Sequence, residues 1–119
     1  MKYQFCVMVL ALSIVSCQPK ALPTVFEQKE GYALMKVSHE TTKEELIQIS
    51  EKLKIQKISI DFSASTFFEN NRLQNLKLVV TTPNGNKGSC YADQTTLQFK
   101  YFGFVFNLQG QPAFKIGEL

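Results

Sequence analysis

Hydrophobic and polar positions change their period several times along this chain, and each change predicts a different element. Residues 5–15 are uncharged and mainly apolar, with a single positive charge, Lys2, ahead of them. A run of about 11 residues suits the apolar centre of an export leader and falls short of the ~20 that a helix needs to span hydrocarbon. Residues 18–31 follow with two prolines, mixed charge and no period, the pattern of a tether. The folded part is expected to begin near Gly31.

From there the pattern becomes regular. Residues 32–38 read as a first strand, ended by the polar cluster His39-Glu40-Thr41. Thr41 and Thr42 each have a glutamate three residues on, Glu44 and Glu45, so two overlapping capping-box registers mark a helix start. Leu46, Ile49 and Leu53 then repeat at helical spacing, Ile47 widens the stripe, and Lys52 and Lys54 sit at the basic end. Beyond Lys54 the period drops to two: Ile58, Ile60, Phe62 and Ala64 alternate with Ser59, Asp61, Ser63 and Ser65.

Glu69-Asn70-Asn71-Arg72 predicts a turn, Leu76, Leu78 and Val80 a second alternating strand, and Pro83-Asn84-Gly85-Asn86 another turn. Residues 87–92 form a short returning strand, residues 97–106 an aromatic one, residues 107–110 a turn, and residues 113–116 pair back. The expected fold class is α+β, in the order β-α-β-β-β-β-β. One helix covers the apolar face of an antiparallel sheet in a two-layer sandwich. The predicted organisation is a leader over residues 1–16, a tether over 17–30 and a single domain over 31–119.

Composition agrees with one small folded unit. At 119 residues, 45% hydrophobic and 19% charged, the chain has room for one core, and disorder or a collagen-like repeat explains it poorly. The formal charge of +3 falls once the leader carrying Lys2 is removed, leaving 12 Lys and Arg against 10 Asp and Glu. So mild a balance does not imply a polyanionic partner, and no nucleic acid is expected.

The residues Ile14-Val15-Ser16-Cys17 resemble the bacterial lipobox, with an aliphatic residue three before a cysteine and a small one directly before it. That resemblance implies diacylglycerol on Cys17, cleavage after Ser16 and acylation of the new N-terminus. Cys6 would leave with the leader. Acyl burial is worth about 0.8 kcal/mol per methylene, and two chains already anchor stably, so membrane attachment through lipid on Cys17 is the first partner expected. Gln18 stands where a retention aspartate would, and no acidic run follows, which points to the periplasmic face of an outer membrane.

A second resemblance lies in the body. Residues 41–54, the alternating strands after them, and the Asn84-Gly85 turn followed by Lys87-Gly88-Ser89 look like a small module of one Gram-negative phylum. It recurs at the periplasmic end of β-lactam-sensing antirepressor-type metallopeptidases and in stand-alone lipoproteins. The likeness covers residues 37–92. Where that module has glycine in its first hairpin, this chain has Asn70-Asn71. Nothing resembles the peptidase's metal-binding helix, so no peptidase activity carries over.

Catalytic signatures are sparse. His39 is the single histidine, with no nucleophile set beside it in sequence, and it reads as a solvated residue ahead of the helix. No zinc, calcium or phosphate-loop spacing occurs, so neither a metal nor a cofactor is expected. Asp61, on the wet face of its strand, reads as a solubilising charge. With Cys17 lipidated, Cys90 has no partner for an intramolecular disulfide and is expected to hide in the core.

The run Phe99-Lys-Tyr-Phe-Gly-Phe-Val-Phe106 puts Phe102, Phe104 and Phe106 on one face and Phe99, Tyr101 and Val105 on the other. Phe99 and Tyr101 are the candidate binding surface. The function expected is a non-enzymatic, membrane-anchored envelope lipoprotein that binds an envelope protein or a small ligand. The alternative is an accessory sensor or inhibitor domain of an envelope signalling or peptidase system.

Overall fold

The computed structural model describes residues 21–110 and 113–119. The expected leader, with Ser16 as its expected cleavage position and Cys17 as the expected lipidation position, lies outside the described residues. The fold is α+β, with one main helix and antiparallel sheets. Two sheets are formed. The first has the strand order β1 (Val25–Lys29), β2 (Tyr32–Val37), β7 (Phe102–Asn107), β8 (Phe114–Glu118). In the second, the long strand β5 (Leu73–Thr81) pairs with β3 (Ser59–Asp61), β4 (Thr66–Phe67) and β6 (Lys87–Ala92). The sheets meet where β6 passes β8 so closely that a Cβ on Gly88 would come within 2.7 Å of the Ile116 Cγ2.

The main helix, α1 (Lys43–Lys54), forms as its pattern dictates and selects one of the two capping registers. Thr42 Oγ1 accepts from the Glu45 N–H (3.2 Å) while Glu45 Oε1 accepts from the Thr42 N–H (2.9 Å). Thr41 is instead fully buried, its hydroxyl accepting from the Ser38 N–H (3.0 Å). Leu46, Ile49 and Leu53 are buried, whereas Ile47 is 46% exposed, so the stripe is narrower than expected. At the far end Lys57 takes φ +59°, which lets Ile58 N–H reach Leu53 O (3.1 Å) and Lys57 N–H reach Lys54 O (3.0 Å). This is a Schellman closure made with lysine where glycine is favoured.

The core joins helix and sheets. Ala33, Met35 and Val37 from β2, Phe104 and Phe106 from β7, and Leu76, Leu78 and Val80 from β5 are buried with the helical stripe in one cluster. Gln56, just past α1, clasps the β1–β2 hairpin by donating to Lys29 O (2.8 Å) and Tyr32 O (3.1 Å). α1 therefore lies on the inner side of the first sheet.

Four sequence expectations need correction. The tether does not run to residue 30, because residues 25–29 form β1 and pair along their whole length with β2. Their Phe26 packs against the core while Glu27 and Lys29 face out, an alternation hidden by the polar surroundings. The strand expected over 58–65 stops at Asp61, whose carboxylate accepts from Ser63 N–H (2.9 Å) and Oγ (2.6 Å) and turns the chain instead. The strand expected from residue 97 begins at Phe102; Asp93 caps a short helix, α2 (Gln94–Leu97), by accepting from Thr96 N–H (2.9 Å). Finally, the order gains β1, β4 and α2.

The turns follow their sequence signals. Asn71 takes φ +66° in place of a glycine, and Gly85 takes φ +88°.

Candidate functional site

Strand register divides the first sheet into an inner face, turned to the helix, and an outer one. Successive cross-strand rows of the outer face are Val25, Lys36, Gly103 and Gly117, then Glu27, Leu34, Val105 and Lys115, then Lys29, Tyr32 and Asn107. Leu34 and Val105 sit directly opposite each other and are half-buried, as are Val25 and Lys36. Their inner-face neighbours Met35 and Phe104 are fully buried. The result is a short apolar strip between Glu27 and Lys115.

Beside that strip two strands meet without side chains, Gly103 being buried and Gly117 half-buried. A Cβ on Gly103 would stand 1.9 Å from Met35 O, so only glycine lets β7 approach β2 there. Its cross-strand partner is Gly117, at φ +130°.

Tyr101 borders this surface without belonging to a strand. Its hydroxyl donates to Pro23 O (2.6 Å), and Lys36 Nζ stands 5.6 Å from its ring centroid. The ring is half-buried. Phe99, the other predicted surface residue, is 49% exposed in the loop between α2 and β7. The two residues therefore do not share a strand face. They lie at the end of the first sheet where the chain runs into β1, beside Lys100, which is paired with Glu118 at 3.2 Å.

That end is tied together by polar side chains. Ser38, fully buried, donates from its hydroxyl to Leu22 O; Thr24 Oγ1 lies 2.8 Å from Thr41 Oγ1 and donates to Glu45 Oε1 (3.2 Å). Glu40 accepts from Leu22 N–H. His39 contributes its N–H to Leu97 O (3.0 Å), and its Nε2 stands 3.9 Å from the Glu40 carboxylate.

The remaining candidate residues are scattered. Asp61, on the exposed edge of the second sheet, has its carboxyl held below the usual range by the Ser63 hydroxyl and N–H. The Asp93 carboxyl is lowered likewise by the Thr96 N–H and hydroxyl. Cys90 faces inward opposite Leu78 and packs against the core, and burial pushes its thiol up to about 11. A cleft of about 810 Å³ opens at the opposite end of the first sheet, lined in part by Glu27, Lys29, Tyr32, Asn107 and Leu108. Among the described residues, no three His, Cys, Asp or Glu side chains are grouped to hold a metal ion, and no helix is long and apolar enough to cross a membrane.

Sequence reasoning missed Leu34 and the Gly103–Gly117 pair as parts of this surface. A strand over residues 32–38 was expected, but which of its faces was inner depended on where the helix packed. No protein-family model, curated protein or solved structure matches this chain.

Proposed function

We propose that this chain is a lipoprotein of the bacterial cell envelope, cleaved after Ser16 and anchored through acyl chains on Cys17. Its β-rich domain binds a protein or small-molecule partner and catalyses no reaction. The membrane is the periplasmic face of an outer membrane. One observation carries the binding half: the outer face of the first sheet keeps the Leu34–Val105 pair half-open beside the Gly103–Gly117 backbone. An apolar strip rimmed by Glu27 and Lys115 suits an interface that is apolar at its centre and polar at its margin.

The non-catalytic half is supported by the spacing of titratable groups. Nucleophilic or acid–base chemistry needs convergent groups, and Cys90, Asp61, Asp93 and His39 lie on separate elements. A two-layer packing of helix on sheet would leave the outer face as the natural docking side.

The test uses the protein expressed from its own leader. Intact mass should show the acyl chains on Cys17, and Cys17→Ala should leave an unlipidated precursor. A photo-crosslinking residue at Val105 should trap a discrete species in cells, whereas the same probe at Lys87, on the second sheet, should not. Absence of acyl mass would overturn the anchor. Absence of any Val105 adduct would overturn the docking face.

A further inference from the structure

We propose that the loop of residues 98–101 is a membrane-contact element, seated in the headgroup layer of the same bilayer that holds the anchor, with Phe99 as the inserted side chain. This rests on the lipid-anchor reading of Cys17.

The argument is one of length. From Ala21 back to Cys17 is four residues, a stretch that spans at most about 14 Å whatever path it takes. The headgroup and interfacial layer on one side of a bilayer is itself roughly 5–8 Å thick, and a lipidated cysteine sits at its inner boundary. Ala21 therefore stays close to the bilayer surface. It is not free to swing away from the domain, because Leu22 is held from both sides, its N–H by Glu40 and its carbonyl by the Ser38 hydroxyl.

Whatever surrounds Leu22 and Pro23 is thus carried to the membrane, and what surrounds them is the end of the sheet bearing Tyr101. The phenol of Tyr101 donates to Pro23 O at 2.6 Å. Phe99 lies two residues from Tyr101 and is 49% exposed in the loop that follows α2. Phe, Tyr and lysine stems suit a boundary where one end of a side chain is apolar and the other wet. Lys36, whose ammonium lies over the Tyr101 ring, and Lys100, paired with Glu118 at 3.2 Å, supply the stems, so the patch is amphipathic.

The opposite end is a built-in control. Leu108 is also apolar and 56% exposed, but its N–H bonds Gly31 O at the β1–β2 turn. A strand of six residues, about 20 Å, separates the two ends. If exposure alone drew side chains to lipid, both would insert. If the short leash decides, only Phe99 does.

The protein has no tryptophan, so single reporters can be placed cleanly. Mature lipidated protein carrying Phe99→Trp, and separately Leu108→Trp, would be reconstituted in vesicles of phosphatidylethanolamine and phosphatidylglycerol containing brominated acyl chains. Phe99→Trp should be blue-shifted and quenched severalfold more than Leu108→Trp, with Lys100→Trp as a second reporter should Phe99→Trp fail to fold. Equal quenching at the two ends, with acyl mass confirmed on the sample, overturns this inference and leaves the anchor standing. No acyl mass overturns both. A reporter that stays unquenched in vesicles but shifts blue when envelope proteins are added would show that the loop faces a protein instead.

Discussion

The Tyr101 hydroxyl donates a 2.6 Å hydrogen bond to the Pro23 carbonyl, so a residue from the last third of the chain pins the approach to its first strand. Its ring also lies under the Lys36 ammonium. An aromatic selected from sequence as a free docking residue is thus partly engaged by its own fold.

Replacing it separates the two roles. Tyr101→Phe keeps the ring and loses the bond, which should lower stability by about 1 kcal/mol. Tyr101→Ala loses the half-buried ring as well and should cost roughly 2 kcal/mol, less than truncation in a closed core. Urea denaturation midpoints of the two variants measure this, and identical midpoints would mean the ring does not pack.

The helix start distinguishes two adjacent threonines. Thr42→Ala removes a cap and should cost about 1 kcal/mol. Thr41→Ala should cost more, about 1–3 kcal/mol, because it strands the buried Ser38 N–H as well as the Thr24 contact. Chemical denaturation ranks them, and a milder loss for Thr41→Ala would show that the Thr41 hydroxyl's bonds to Ser38 and Thr24 contribute little.

At the other end of α1, Lys57 occupies the left-handed region at φ +59°. Lys57→Gly relieves the Cβ there and should stabilise the protein by about 0.5–1 kcal/mol, net of the entropy that glycine adds to the unfolded chain. The thermal midpoint should rise, and a fall would show that the lysine stem packs in a way that outweighs the backbone gain.

Cys90 should resist thiol reagents in the folded protein. Burial raises its pKa to about 11 from an ordinary value of 9.0, so the fold favours the neutral thiol. The sign follows: this stabilisation is fully present below pH 9.0 and fades as pH rises toward about 11. Iodoacetamide labelling at pH 8, followed by mass spectrometry, should be far slower in buffer than in urea. Equal rates would place the thiol at the surface.

Much of the architecture was already written in local patterns. The α1 stripe, the turns at Asn70-Asn71 and Pro83-Asn84-Gly85-Asn86, strand β6 and the inward set Phe104 and Phe106 each depend on side-chain period or turn chemistry within a few residues. Asp61 and Asp93 show where that reading stops. Each carboxylate bonds a nearby backbone N–H and hydroxyl, ending one expected strand and delaying another, and the competition between such a local bond and a ladder bond is settled only when the partner strand is present.

Long-range decisions belonged to tertiary structure alone. β1 reads as tether because its value as a strand comes from pairing with β2 and from Phe26 reaching the core, neither of which is encoded in its own period. The choice between the Thr41 and Thr42 registers was made by Ser38 and Thr24, which claim the Thr41 hydroxyl. Likewise the outer face of the first sheet became a candidate surface only once α1 had covered the inner one. A two-residue period states that a strand has two faces, and only packing states which of them meets water.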